Sequence, residues 1–209
     1  MEKYKFCSME QAFNELSRID GREMVRHAEI YSLGSDRQVL KTMFVENLLR
    51  FDNNINEESL QFLPEYEIVL DWMINNQGKG LFITGDVGRG KTNIIIGVIR
   101  PLFLAQMNKL IIGCHARDLP GQVESFKKRA IVYVDELGTE SMANYFGERF
   151  EAFNVLLDVV EQYNKPMLII SSNLSGEAFQ KRYGDRSLDR LQRLCKIISF
   201  KGVSLRPNN

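Results

Sequence analysis

Beyond Gly80 the chain alternates short apolar runs with longer stretches whose apolar residues recur at helical spacing. Leu81–Thr84, Leu110–Gly113, Ile131–Asp135, Met167–Ser171 and Ile197–Phe200 read as strands. Lys91–Met107, Gly147–Tyr163 and Ser175–Tyr183 read as helices, the second burying Phe150, Phe153, Leu157 and Val160 on one face. Apolar strands alternating with helices predict a parallel sheet covered on both faces. Pro101 should kink or end the helix after Lys91, because it lacks an amide hydrogen and its ring crowds the preceding turn.

The first fifty residues carry helical signals only. Ser8 with Gln11, Asp20 with Glu23, and Ser35 with Gln38 each read as an N-cap and its reciprocal partner. After the last of these, Val39, Leu40, Met43, Phe44 and Leu48 share one helical face. Asn53-Asn54-Ile55-Asn56 breaks the pattern and reads as a linker. It divides a small N-terminal helical extension, residues 1–52, from a main domain, residues 53–209. Pro64 then opens a helix that ends near Gln77-Gly78.

With 209 residues, 44% of them apolar and 26% charged, the chain suits one packed α/β domain with an extension. The longest apolar stretch, Ile94–Met107, is broken by Gly97, Arg100 and Pro101, so no membrane span is expected. The N-terminal residues lack the apolar run of a secretory signal, and a cytoplasmic location is expected. Cys7, Cys114 and Cys195 lie far apart, with only His27 and His115 beside them, which fits structural thiols and no zinc motif. The formal charge is zero, so nucleic acid could be held only by a local basic patch.

Gly85-Asp86-Val87-Gly88-Arg89-Gly90-Lys91-Thr92 fits G-x-x-x-x-G-K-[ST], after a strand and at the start of a helix. Such a loop turns its amides inward on phosphates, and the helix N-terminus adds partial positive charge. Lys91 would reach the β and γ phosphates, and Thr92 would ligate Mg²⁺. Arg89 could reach a phosphate or point to solvent, and solvent is the expectation. The Ile131–Val134 run ends in Asp135 and Glu136. Beside a phosphate loop, Asp135 would hold Mg²⁺ through a water and Glu136 would orient the attacking water. In isolation two such acids could simply end a strand in solvent. Asn173, after the fourth strand, could position that water with Glu136 or merely cap the next helix. Arg186, Arg190 and Arg193 share one helical face, with Leu188, Leu191 and Cys195 toward the core. That face could supply an arginine finger to a neighbouring subunit, contact nucleic-acid phosphates, or be solvated.

The segment from about Tyr66 to Arg206 resembles the AAA+ ATPases of the DnaC/DnaI helicase-loader and IstB transposition-helper group. The resemblance rests on GKGLFITGDVGRGKT, VDELGTE with Asn144-Tyr145-Phe146-Gly147-Glu148 behind it, LIISSNLS, and YGDRSLDRL followed by ISFKGVSLR. It implies a P-loop NTPase fold of the AAA+/ASCE type, a five-stranded parallel sheet sandwiched by helices, with the phosphate-loop strand in the middle and no separate lid domain. It implies ATP and Mg²⁺ as cofactors and hydrolysis of ATP to ADP and phosphate. Asn173 becomes a γ-phosphate sensor and Arg190 a finger acting in trans, with Arg186 as second candidate. The implied partners are further copies of the chain, a replicative helicase, and single- or double-stranded DNA; residues 1–52, which match no known helicase-binding module, are a candidate partner-binding extension. An IstB-like helper of DNA transposition is the alternative, and a small-molecule kinase or a nucleotide-binding scaffold would be readings of another class. Relatives carry an additional helical stretch before the Asp-Glu strand. Here only Ala116–Ala130 fills that interval, with Lys127, Lys128 and Arg129 as its bases.

Overall fold

The computed structural model of the protein describes residues 31–53, 55–145, 148–162 and 167–205. Cys7, the capping pairs Ser8/Gln11 and Asp20/Glu23, and most of the expected partner-binding extension lie outside the described residues. Helix α1 (Arg37–Phe51) starts at Asp36, whose carboxylate accepts from the amides of Gln38 at 3.0 Å and Val39 at 3.1 Å. Asp36, not Ser35, is therefore the cap, because its side chain reaches the second and third amides of the helix. Leu40, Phe44 and Leu48 are the buried stripe; Val39, expected on it, is 49% exposed. Helix α2 (Pro64–Ile74) begins at its proline, where no amide hydrogen is missed. Arg37 and Lys41 tie the two helices by ion pairs to Glu67 at 2.5 and 2.6 Å.

Five parallel strands form the sheet: β1 (Gly80–Gly85), β2 (Ile112–His115), β3 (Ile131–Leu137), β6 (Met167–Ser172) and β7 (Cys195–Phe200), in the order β2-β3-β6-β1-β7. The phosphate-loop strand β1 is thus second from an edge, and β6 takes the middle. That order puts the loop after β1 between the ends of β6 and β7. Between β3 and β6 the chain makes an antiparallel ribbon, β4 (Ala143–Tyr145) with β5 (Glu148–Phe150). Residues 148–150, expected in a helix, are paired there instead, so the helix (α5, Ala152–Gln162) starts later than its apolar spacing suggested.

Pro101 does not break its helix. A π-helix over Asn93–Ile99 runs directly into α3 (Arg100–Met107), with the Arg100 amide reaching back to Ile95 O. The proline falls in the first turn of α3, where its missing donor costs little. The interval Ala116–Ala130 is a chain of short turns around α4 (Leu119–Gln122). Helices α6 (Gly176–Tyr183) and α7 (Asp185–Leu194) precede β7.

Each sheet face carries its own core. One joins Leu40, Phe44 and Leu48 of α1 with Trp72, Ile83, Ile94 and Phe103. The other joins Phe126, Val134, Phe153, Leu157, Phe179 and Leu191. Full burial of each such side chain contributes about 1.5–3 kcal/mol. α1, assigned above to the extension, therefore shares a core with the sheet. Burial pushes the thiol of Cys195 up to about 12 and that of Cys114 up to about 11, as suits packed, unreactive cysteines. Among the described residues no helix is long and apolar enough to cross a membrane.

Candidate functional site

The residues 85–92 leave the carboxyl end of β1 and enter the π-helix, the context that a phosphate-binding loop requires. Two of its glycines are sterically obligatory. Gly85 has φ +131°, and a Cβ there would lie 2.0 Å from Phe200 O. Gly88 has φ +79°, and a Cβ there would meet Ser204 Oγ at 2.2 Å. Lys91 is buried, and its Nζ donates to Gly85 O at 2.9 Å and Asp86 O at 2.6 Å. The ammonium thus stands in the curl of its own loop. The Arg89 side chain, expected in solvent, is buried and pairs with Glu65 at 3.1 Å. Arg89 contributes its backbone to the loop while its guanidinium binds elsewhere.

The two acids sit on a bulge. Val134 pairs with Ile170 and Leu137 with Ser172, so Asp135 and Glu136 together oppose the single Ser171. In a flat strand consecutive side chains point to opposite faces. The bulge, with Glu136 in the left-handed region at φ +57°, re-aims them. Asp135 accepts from Thr92 Oγ1 at 3.0 Å, whereas Glu136 lines the adjoining cavity. A left-handed glutamate costs about 1–3 kcal/mol. Hydrogen bonds offset it: Glu136 N donates to Ser171 Oγ at 2.8 Å, and Thr139 Oγ1 donates to Glu136 O at 2.9 Å. Ser171 Oγ in turn donates to Asp135 Oδ1 at 2.5 Å. One buried hydroxyl therefore holds both acids. The Glu136 carboxylate itself meets His115 Nε2, at the end of β2, at 2.9 Å.

The loop after the bulge is anchored to α6. The buried Glu140 carboxylate accepts from Gly138 N at 2.8 Å and from the Tyr183 hydroxyl, while Arg182 donates to the carbonyls of Gly138 and Glu140. Burial, and then the bond to Glu140, raise the Tyr183 phenol far above its ordinary value. Asn173 is exposed and lines the cavity; the cap of α6 is Ser175, which accepts from Ala178 N at 3.1 Å. Asn173 is not needed as a cap.

The cavity has a volume of about 590 Å³. Its lining combines polar side chains, among them Lys91, Thr92, Glu136, Ser171 and Asn173, with apolar ones such as Leu48, Phe51, Ile55, Tyr66 and Leu205. It can take a ligand that carries both anionic and apolar groups. The donor set also fits a hard cation: the Thr92 hydroxyl and the Asp135 carboxylate are oxygen ligands already in register. The arginines of α7 divide. Arg186 is exposed, whereas Arg190 is 6% exposed and bound within its own chain to Asp158 at 2.8 Å and Glu161 at 3.0 Å. Arg193 shares Glu161 at 2.5 Å. In the interval Ala116–Ala130, Lys127 pairs with Glu124 at 2.6 Å, and Lys128 and Arg129 are exposed.

No family model matches the sequence, and no curated protein matches it. Among solved structures, the DnaC helicase loader aligns over 73% of this chain and 99% of its own, at 15% identity and a TM-score of 0.55. Domain III of the Thermotoga maritima replication initiation protein DnaA aligns over 72% of this chain and 68% of its own, at 13% identity and a TM-score of 0.51. The chain shares the fold of these two structures. A DnaI structure covers 84% of this chain and 90% of its own at 18% identity, but its TM-score of 0.44 carries no weight. At identities this low the structural likeness shows the fold alone.

Sequence reasoning passed over Ser171, His115 and Glu65. Ser171 was visible only as a polar residue closing an apolar strand. His115 and Glu65 act through partners 21 and 24 residues away in sequence, which no local pattern reveals.

Proposed function

We propose that the chain is an ATP-binding, ATP-hydrolysing switch of helicase-loader type, acting as an oligomer on a replicative helicase and DNA. The observation that carries the reading is the bulge, which separates the roles of adjacent acids. Asp135 turns to Thr92, where the two would hold Mg²⁺, the former through a water; the ion would neutralise charge on the β and γ phosphates. Glu136 turns into the cavity near Asn173, where a carboxylate can orient and polarise a water aimed at the terminal phosphate. A kinase needs a place for an acceptor other than water, whereas a carboxylate that can polarise water supports the hydrolytic reading. The phosphates would lie against Lys91 and the loop amides, and the apolar side chains of the lining suit a purine.

Ser171 follows as the support of that arrangement. Ser171→Ala should lower phosphate release at saturating MgATP about tenfold, since the loss of hydrogen bonds to a charged group and to the strained amide frees both acids. Full turnover in this variant, measured at steady state, would show that the bulge holds its shape unaided.

The trans-acting guanidinium is assigned to Arg186. It is exposed at the start of α7, whereas Arg190 is held by Asp158 and Glu161 and braces α7 against α5. Contact to the γ-phosphate from two subunits makes assembly depend on that phosphate, and hydrolysis removes it. DNA contact is assigned to the exposed Lys128 and Arg129. The experiment is retention of a hexameric helicase on the immobilised full-length chain. MgATP should retain it and MgADP release it, and Arg186→Ala should abolish retention while nucleotide affinity stays the same. Equal retention in both nucleotides would reject the switch.

A further inference from the structure

The block ISFKGVSLR was singled out in the sequence, but its last residues have no part in the chemistry above. β7 ends at Phe200, yet the chain does not leave the sheet edge there. It continues alongside the phosphate loop and bonds to it in alternation. Asp86 N donates to Phe200 O at 2.9 Å, Gly202 N to Asp86 Oδ2 at 2.9 Å, Arg89 Nη1 to Val203 O at 3.2 Å, and Leu205 N to Gly88 O at 2.9 Å. Glu65, in the first turn of α2, completes the clasp: its Oε1 accepts from Arg89 Nη2 at 3.1 Å and from Lys201 N at 3.3 Å. The Arg89–Glu65 pair is enclosed, with side-chain exposures of 8% and 13%.

The accounting of carbonyls gives this clasp a purpose. A loop that turns its amides inward on an anion must turn carbonyls outward, and each needs a donor. Gly88 O finds its donor in the segment after β7, whereas Gly85 O and Asp86 O accept from Lys91 inside the curl of the unliganded loop. The same segment holds the Asp86 carboxylate at the Gly202 amide, fixing an anion that would otherwise be loose beside a phosphate site. A bulky cation at position 89 is explained as well: it is the rivet between loop, strap and α2.

We propose that residues 200–205 are a strap that holds the phosphate loop in its anion-binding shape, with Arg89, Glu65 and Gly202 as positioning residues for nucleotide affinity. The proposal rests on the nucleotide reading of the site and adds that affinity depends on a segment beyond the last strand. By reciprocity, a nucleotide that tightens the loop must tighten the strap.

Gly202 is exposed and has φ +124°, a conformation closed to proline, and its amide is the donor to Asp86. Gly202→Pro in the full chain should raise the Kd for MgADP about tenfold, as expected for losing a hydrogen bond to a charged group. In the unaltered chain, saturating MgADP should slow amide exchange at Gly202 and Leu205, which a merely structural tail would not show. Affinity in Gly202→Pro within about twofold of the unaltered chain, or exchange at those amides indifferent to MgADP, would overturn the strap alone. No binding of MgADP by the unaltered chain would overturn the nucleotide reading and the strap together.

Discussion

Lys91→Ala is expected to abolish measurable nucleotide binding while leaving the fold intact. The Nζ sits buried between the carbonyls of Gly85 and Asp86, the place from which it can exchange those acceptors for phosphate oxygens. Phosphate is the stronger acceptor, because its oxygens carry negative charge opposite the ammonium whereas the carbonyls are neutral. Hydrogen bonds to charged groups contribute about 1.5–3 kcal/mol each, so losing two lowers affinity by about 10²–10⁴-fold. The variant loses something in the unliganded chain too, since two loop carbonyls lose their donor. That loss is local: the sheet cores on either face do not contain Lys91. Calorimetric titration with MgADP, with circular dichroism to confirm the fold, reads both effects. Affinity equal to that of the unaltered chain would remove the phosphate cradle from the account, and the ATPase reading with it.

What could be read in advance depended on how local the physics was. The cradle was legible because its residues are contiguous and each has a reason to occupy its offset. The three inner strands were legible because burial on both faces leaves a nearly unbroken apolar run, whereas the less buried edge strands β2 and β7 proved to begin at Ile112 and Cys195. The position of β1 in the sheet was not, because strand order is set by pairing between distant segments. The ribbon at Ala143–Phe150 escaped for a similar reason: helical spacing continues backwards through residues whose cross-strand partners decide their state. Pro101 misled because a π-helix upstream, invisible to a periodicity of 3.6, delivers the proline to a first turn. Arg89 looked solvated because charge in a loop usually is, and its partner Glu65 belongs to another helix. Arg190 looked available because its face is arginine-rich, whereas Asp158 and Glu161 on α5 fold that face inward.

The same distinction explains why two neighbouring acids could be assigned roles from sequence but not geometry. Asp135 and Glu136 are one peptide apart, and only pairing with β6 shows that a single serine faces both. A strand that stayed flat would send one acid away from the loop. The bulge is therefore the structural condition for the proposed chemistry, and a strained glutamate backbone marks the spot.

Glu136→Gln should separate binding from hydrolysis. Glutamine keeps the length and shape of the side chain, so the left-handed backbone, its amide bond to Ser171 and its carbonyl bonds to Thr139 remain. The amide oxygen can still accept from His115. None of these contacts, nor Lys91, Thr92 or Asp135, is altered, and affinity for MgATP should stay within about threefold of the unaltered chain. What disappears is the negative charge that polarises water, and a neutral amide cannot take up its proton. Turnover should fall by about 10²-fold or more, the scale of a positioned general base. The variant would then dwell in the triphosphate state, and an assembly that depends on the γ-phosphate should persist rather than cycle. Single-turnover phosphate release measured beside equilibrium binding distinguishes the cases. If both fall together, Glu136 is holding the site's shape through His115 and the bulge. If neither falls, the attacking water is prepared by another group, and Asn173 beside it in the cavity becomes the residue to replace next.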